Sequence, residues 1–202
     1  MIHPKTKLVH INDVVGYGLY ATEFIPEGTI TYVKDPLEVE ITPSKYNSYT
    51  KVIRDAIDKY SYRDEKGNMI VSWDMGKYVN HSCTPNSIST GYGFEVAIRD
   101  IFEGEQLTDE YGIFNLESEM MCECGSSECR KIIQPEDFDN YYQNWDEKIK
   151  SSLIKLNKVD QPLFAYIDHK TVKLLNDFLK SRSYKTVYSL RYHDQTLVTV
   201  KS

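Results

Sequence analysis

The chain is predicted to be a mainly β, α+β protein, and three features of the sequence carry that prediction. Its first hundred residues divide into short β-prone runs separated by turn signals. All four cysteines fall into one pattern, a single Cys83 followed by Cys122, Cys124 and Cys129 in a C-x-C-x4-C spacing. After Pro135 the texture changes to charged segments with apolar residues at helical intervals.

In chain order, Leu8–Ile11, Gly18–Ala21, Thr29–Val33 and Leu37–Ile41 read as strands, punctuated by Pro26-Glu-Gly28 and Lys34-Asp-Pro36. Thr42-Pro-Ser44 is a helix entry, and Tyr46, Tyr49, Val52, Ile53, Ala56 and Ile57 then recur at helical spacing, which predicts one inserted helix across 42–59. Arg63–Asn68 is a charged turn between Tyr60–Tyr62 and Met69–Trp73, and Phe94–Ile98 is a further strand. Beyond Pro135, Phe138–Asn157 and Thr171–Leu179 are predicted amphipathic helices, and 184–200 alternates around His193-Asp-Gln195 as a terminal hairpin. The tail could close a groove, mediate self-association as a homodimer, or pack on the domain that precedes it.

Composition excludes some function classes. With 24 Lys+Arg against 30 Asp+Glu the chain carries a net charge of −6. Direct nucleic-acid binding is therefore not expected, because a duplex-binding face is built on phosphate neutralisation; a basic, lysine-rich protein is the better partner. No run of 18 apolar residues exists, so no membrane span is expected. Met1-Ile-His-Pro-Lys lacks a signal-peptide pattern, and unpaired thiols suit a reducing compartment. The expected location is the cytoplasm, or the nucleus in a eukaryote, or a host cell if the chain is a delivered bacterial protein. Sixteen tyrosines suit the lining of a narrow amphipathic channel and equally suit strand-face packing.

Cys122-Glu-Cys124-Gly-Ser-Ser-Glu-Cys129 is a turn-rich stretch able to curl three thiolates round one zinc ion, which leaves the tetrahedron one ligand short. Cys83 is the remaining cysteine that can complete it. Two disulfides are the competing arrangement, disfavoured because C-x-C thiols are poorly placed to pair with each other.

Four signatures occur in order: Gly16-Tyr-Gly-Leu-Tyr-Ala21, Tyr78-Val-Asn-His-Ser-Cys-Thr-Pro-Asn86, Arg99-Asp-Ile-Phe-Glu-Gly-Glu-Gln-Leu-Thr-Asp-Glu-Tyr-Gly112, and the cysteine cluster. Together they resemble the SET-domain protein-lysine methyltransferases with a post-SET zinc motif, over about residues 8–134. The resemblance implies small curved sheets with a pseudoknot-like crossing, a post-SET zinc loop and a helical C-terminal extension. It divides the chain into a SET domain at 1–118 with an insert at 43–70, a zinc-binding segment at 119–135 and an extension at 136–202. The implied activity is transfer of a methyl group from S-adenosylmethionine to a lysine amine in a protein, histone-like or otherwise. A catalytically silent SET module that binds peptide or acts as a scaffold is the alternative.

The same resemblance implies site roles. Gly16, Tyr17 and Gly18 match the loop whose backbone approaches the methionine part of the cofactor, where absent side chains permit close contact. Asn80 and His81 match the cofactor-contacting pair, with the backbone and ring of His81 reaching the ligand. Tyr111 matches the catalytic tyrosine, also a cofactor contact, and Ile133 the apolar residue against the adenine. A phenol of pKa about 10 is a poor base, so solvent is the other candidate to take the lysine proton. The chain departs from the pattern at Glu110, usually Asp, and at Asp109, where many members carry an aromatic residue that sets how many methyl groups fit. A charge at 109 either holds the substrate ammonium or points to solvent. Arg130-Lys131 stands where Arg-Gly is usual, so a left-handed backbone there is expected to be costly and the loop to run a different course.

Overall fold

The computed structural model describes residues 1–181 and 183–193. Strands β1 (Thr6–Asn12) and β2 (Gly16–Ala21) pair as a hairpin with a bulge at His10/Asn12. Next come β3 (Ile30–Val33) and β4 (Val39–Ile41). The predicted inserted helix is two helices, α1 (Pro43–Ser48) and α2 (Lys51–Tyr60). The chain is extended at Tyr49 and Thr50, which stops one helix and opens the next, and Val52 and Ile53 stay exposed. Thr42 caps α1 by accepting from the Lys45 N–H at 3.3 Å.

Strands β5 (Ser61–Arg63) and β6 (Met69–Val71) flank the charged turn, where Asp64 Oδ1 accepts from the N–H groups of Lys66 and Asn68. The remaining strands are β7 (Asn80–His81), β8 (Ser87–Ser89), β9 (Phe94–Ala97), β10 (Gln106–Asp109), β11 (Met120–Met121) and β12 (Ile132–Ile133). They build small sheets in the orders β1-β2-β10-β7, β3-β9-β8, β4-β6-β5 and β11-β12. Within the first, β10 runs antiparallel to β2 and parallel to β7, pairing Thr108 with Asn80 and Asp109 with His81. Two motifs far apart in sequence thereby become neighbours.

The extension contains α3 (Asp137–Leu153) and α4 (His169–Ser181), close to the predicted spans. Phe138, Trp145, Ile149 and Leu153 fall on one face of α3 and enter a core with Ile30, Ile88, Phe94 and Val96 of the β3-β9-β8 sheet. Leu163, Leu175, Phe178 and Val187 complete it, so the extension packs on the domain before it. The opposite side of that sheet faces a second core formed by Leu19, Ala21, Tyr32, Ala97 and Leu107. Burial from both sides explains why every position of β3 and β9 is buried and why neither strand alternates.

The predicted terminal hairpin is not a strand in its first half, where Val187–Leu190 form a 3₁₀ turn. Buried Asp146 on α3 accepts from Tyr184 Oη at 2.6 Å, Thr186 Oγ1 at 2.5 Å and the Val187 N–H at 2.8 Å, which draws this segment onto the helix instead of a partner strand. The second half, 194–200, lies outside the described residues. No described helix is long and apolar enough to cross a membrane.

Candidate functional site

Pairing of β11 with β12 closes a loop that carries Cys122, Cys124 and Cys129, reinforced by the Cys122 N–H donating to Lys131 O at 2.8 Å. Cys83 arrives as the chain leaves β7, where the Ser82 N–H donates to Asp109 O at 3.0 Å. The four Sγ atoms lie within 4.8 Å of one another, and Cys122 Sγ is 3.7 Å from both Cys83 Sγ and Cys129 Sγ. A disulfide requires about 2.05 Å. A zinc tetrahedron with bonds of about 2.3 Å has edges of about 3.8 Å, so this donor set fits one zinc ion. Cys83 Sγ further accepts from the Arg130 N–H at 3.3 Å, and Cys124 Sγ from the Cys83 N–H at 3.5 Å, contacts that favour thiolates.

Contrary to the expectation for Arg130-Lys131, the loop does take a left-handed turn here, with Lys131 at φ +67°. The bonds from the Arg130 N–H to Cys83 Sγ and from the Cys122 N–H to Lys131 O hold the conformation. A side chain at such a φ costs about 1–2 kcal/mol, and the greater unfolded freedom of glycine returns about 0.4–1 kcal/mol of that. Lys131→Gly should therefore stabilise the protein by about 0.5–1 kcal/mol in denaturant titration. A loss of stability in the glycine variant would show that the Lys131 side chain itself supports the loop.

The parallel β7–β10 pair sets Asn80 and His81 beside Tyr111. Tyr111 is held at both ends: its N–H donates to His81 Nδ1 at 3.1 Å and its hydroxyl to Val79 O at 2.6 Å. Nδ1 also lies 3.2 Å from Asp109 O, and Nε2 faces Cys83 Sγ at 3.4 Å. Burial, then the nearby charge of Arg130, brings the His81 pKa down to about 4, so the ring is neutral. The His81 ring thus lies between the Tyr111 N–H and the cysteine cluster. Burial, with the acids Asp109 and Glu95 behind it, raises the Tyr111 phenol well above its ordinary value, which removes it as a base.

Asn80 Nδ2 donates to Tyr17 O at 3.0 Å, tying the glycine loop to β7. A Cβ on Gly18 would lie 2.9 Å from Asn80 Nδ2 and 2.6 Å from Gln106 Nε2, so a side chain here would displace the Asn80 and Gln106 amides. Gly16 has φ +79°. The Tyr17 ring is half-exposed and edges against Tyr78. Ile133 is fully buried, whereas its neighbour Ile132 is exposed. Trp73 stands outside the core, with Nε1 donating to Asp35 Oδ2 at 3.0 Å.

A cavity of about 570 Å³ opens beside Tyr111, with Tyr60, Tyr62, Val79 and Phe114 on its walls and Asp58, Glu117 and Glu119 among its acidic groups. Asp109 lines it too and is buried, which excludes the solvent-facing orientation. Several of these groups have weak sequence signals. Glu95 was detectable only as a lone carboxylate in the apolar run Phe94-Glu-Val-Ala97. Arg130 links three elements: it reaches buried Glu110 at 2.6 Å and Asp137 of α3 at 3.0 Å, and it lies over the Tyr141 ring. Its signal was only its place after Cys129.

The SET domain family model matches residues 16–112. "Histone-lysine N-methyltransferase trr" of Drosophila melanogaster is 29% identical over 133 residues, covering 58% of this chain and 5% of that protein. "Putative histone-lysine N-methyltransferase ASHH4" of Arabidopsis thaliana is 26% identical over 193 residues, covering 85% of this chain and 48% of that protein. The chain thus spans less than half the length of either relative. Among solved structures, "crystal structure of KRYPTONITE in complex with mCHG DNA and SAH" is similar with a TM-score of 0.45 and 19% identity, over 63% of this chain and 28% of that one.

Proposed function

We propose, from the match of residues 16–112 to the SET domain family model, that the chain transfers a methyl group from S-adenosylmethionine to the side-chain amine of lysine in a basic protein segment. One zinc ion on Cys83, Cys122, Cys124 and Cys129 serves as its structural metal. The observation that carries this reading is the junction at Tyr111: the glycine loop, Asn80-His81 and the tyrosine-walled cavity all converge there.

When bound, S-adenosylmethionine supplies an electrophilic methyl on a sulfonium, and the chain's own residues have to align and desolvate the amine. Gly18 keeps the loop clear for backbone approach, Asn80 offers a donor and an acceptor, and the β7 backbone and Ile133 are the remaining candidate contacts. The hydroxyl proton of Tyr111 is committed to Val79 O, so its oxygen presents lone pairs to the reacting centre. That oxygen orients the amine and supports the developing charge. The acids at the cavity, Asp58, Glu117 and Glu119, suit a lysine-rich target.

The test is incubation with labelled S-adenosylmethionine and host lysate, followed by mass spectrometry of labelled proteins. Tyr111→Phe should lower kcat by about 10²-fold with KM and calorimetric cofactor affinity nearly unchanged, because the lost interaction belongs to the transition state. Asn80→Ala should weaken cofactor binding first. Wild-type turnover in the phenylalanine variant would remove Tyr111 from the mechanism, and failure of the wild type to bind the cofactor would overturn the reading itself.

A further inference from the structure

Glu95 shares a strand face with Ala97, and Asp109 with Leu107, because side chains alternate along a strand. Ala97 and Leu107 meet in the second core, so the two carboxyls are carried to the same place at the end of that contact. Both line the cavity that holds Tyr111. Asp109 is 1% exposed and Glu95 8%. Asp109 Oδ1 accepts from the Glu110 N–H at 2.6 Å, yet Asp109 Oδ2 and Glu95 Oε2 have no donor. One proton shared between the two carboxyls would supply the donor that these oxygens lack, and burial raises both groups above their ordinary values.

The groups around the pair do not neutralise the remaining charge. Glu38 and Glu110 are acids, Tyr62 and Tyr111 are phenols, Ser87 is a hydroxyl, and Tyr32 gives its proton to Glu38 Oε1 at 2.5 Å. The amino group of Met1, a cation that acts on Glu95, is itself bonded to Asp35 at 2.8 Å. Among the described residues no lysine or arginine bonds to either carboxyl, so a buried site carrying one negative charge faces the cavity without a partner.

Resting on the methyltransferase reading, we propose that Glu95 and Asp109 form a proton-sharing carboxyl pair that receives the ammonium of the target lysine and takes its proton before methyl transfer. The pair enters holding one proton and one negative charge. The ammonium gives up one N–H proton, the pair becomes neutral with two protons, and the lysine becomes a neutral amine. Its lone pair then forms the N–C bond while the methyl–sulfur bond breaks, with the bonding electrons staying on sulfur. The product leaves as a methylammonium, and the pair returns its extra proton to solvent.

Burial pushes Glu95 up to about 7 from its ordinary 4.5 and Asp109 well above its own value, which places the pair between a lysine and neutral solvent as a proton acceptor. Because the folded value is the higher one, the folded state binds more protons and stability falls as pH rises between 4.5 and 7. Glu95→Gln and Asp109→Asn should each flatten that decline and raise the melting temperature at neutral pH, since the repulsion within the pair is removed.

The deciding experiment follows the pair by carbon-13 NMR of labelled Asp and Glu carboxyls in the full chain, titrated with n-butylammonium or, as the neutral control, n-pentanol. In the wild type, n-butylammonium should lower the pair's midpoint by at least one pH unit and pentanol should leave it in place. In both variants the ammonium effect should fall at least tenfold. On recombinant core histones, kcat/KM should drop at least tenfold in the variants and move its rise to higher pH, where free lysine begins to deprotonate. A midpoint unmoved by n-butylammonium, or a variant with the wild-type pH profile, overturns the proposal. If the wild type transfers no methyl group to any protein and binds no S-adenosylmethionine, the function reading falls, while the n-butylammonium titration still decides whether the pair is an ammonium site.

Discussion

Truncation after Pro135 should give a chain that does not fold. Nine of the sixteen fully packed members of the larger core, from Phe138 to Val187, lie beyond that point. Cutting one large core side chain back costs about 2–5 kcal/mol, against a total stability of about 5–15 kcal/mol for a domain. The loss of nine exceeds any plausible margin. The β3-β9-β8 sheet would also lose the cover over Ile30, Ile88, Phe94 and Val96. Soluble yield, far-ultraviolet circular dichroism and binding of a hydrophobic dye would read the effect. A truncated chain that stays soluble and melts cooperatively would show that the sheet can be covered some other way.

Metal removal should have the second-largest effect. Purified protein should contain about one zinc per chain, and chelation or Cys122→Ser should lower the melting temperature by about 10 °C. That figure takes about 3–4 kcal/mol for a structural site in a domain with its own core, at roughly 3 °C per kcal/mol for this size. The loss should also reach the candidate active site, because His81 links Cys83 to Tyr111 and Arg130 links the loop to Glu110. Cys83→Ser should therefore weaken S-adenosylmethionine binding as well as metal binding. Protein without zinc and with four reactive thiols would sink the metal assignment, and unchanged cofactor affinity in a zinc-free variant would break the link.

Much of the fold was legible because local signals agreed with the tertiary outcome. The runs at Leu8–Ile11 and Gly18–Ala21 became β1 and β2, and the helical spacing after Pro135 became α3 and α4. What escaped depended on partners distant in sequence. The two-residue strands β7, β11 and β12 have no periodicity to read and exist only through their pairings. The segment from Tyr184 looked strand-like, but Asp146, 38 residues earlier, claims its hydroxyl. In the candidate site the cysteines were readable from spacing, and their Sγ atoms do lie together. Asp109 was singled out, but its burial was not readable, because the residue it meets lies on another sheet. The internal use of the His81 ring follows from a cross-chain contact that no local pattern encodes.

The packing of the extension also fixes an order of events during synthesis. The side-chain amide of Gln161 accepts from the Ile30 N–H at 2.9 Å across 131 positions of sequence. At roughly 5–20 residues per second, the ribosome needs about 7–26 seconds between making one partner and the other. Within that interval, the strands of the β3-β9-β8 sheet are complete on the nascent chain by Ala97, whereas the first helix that covers them begins only at Asp137. A topology dominated by such late, distant contacts folds slowly and leaves apolar strand faces open to wrong partners. The yield of native protein should therefore depend more on chaperone supply and growth temperature than the stability of the finished molecule would suggest.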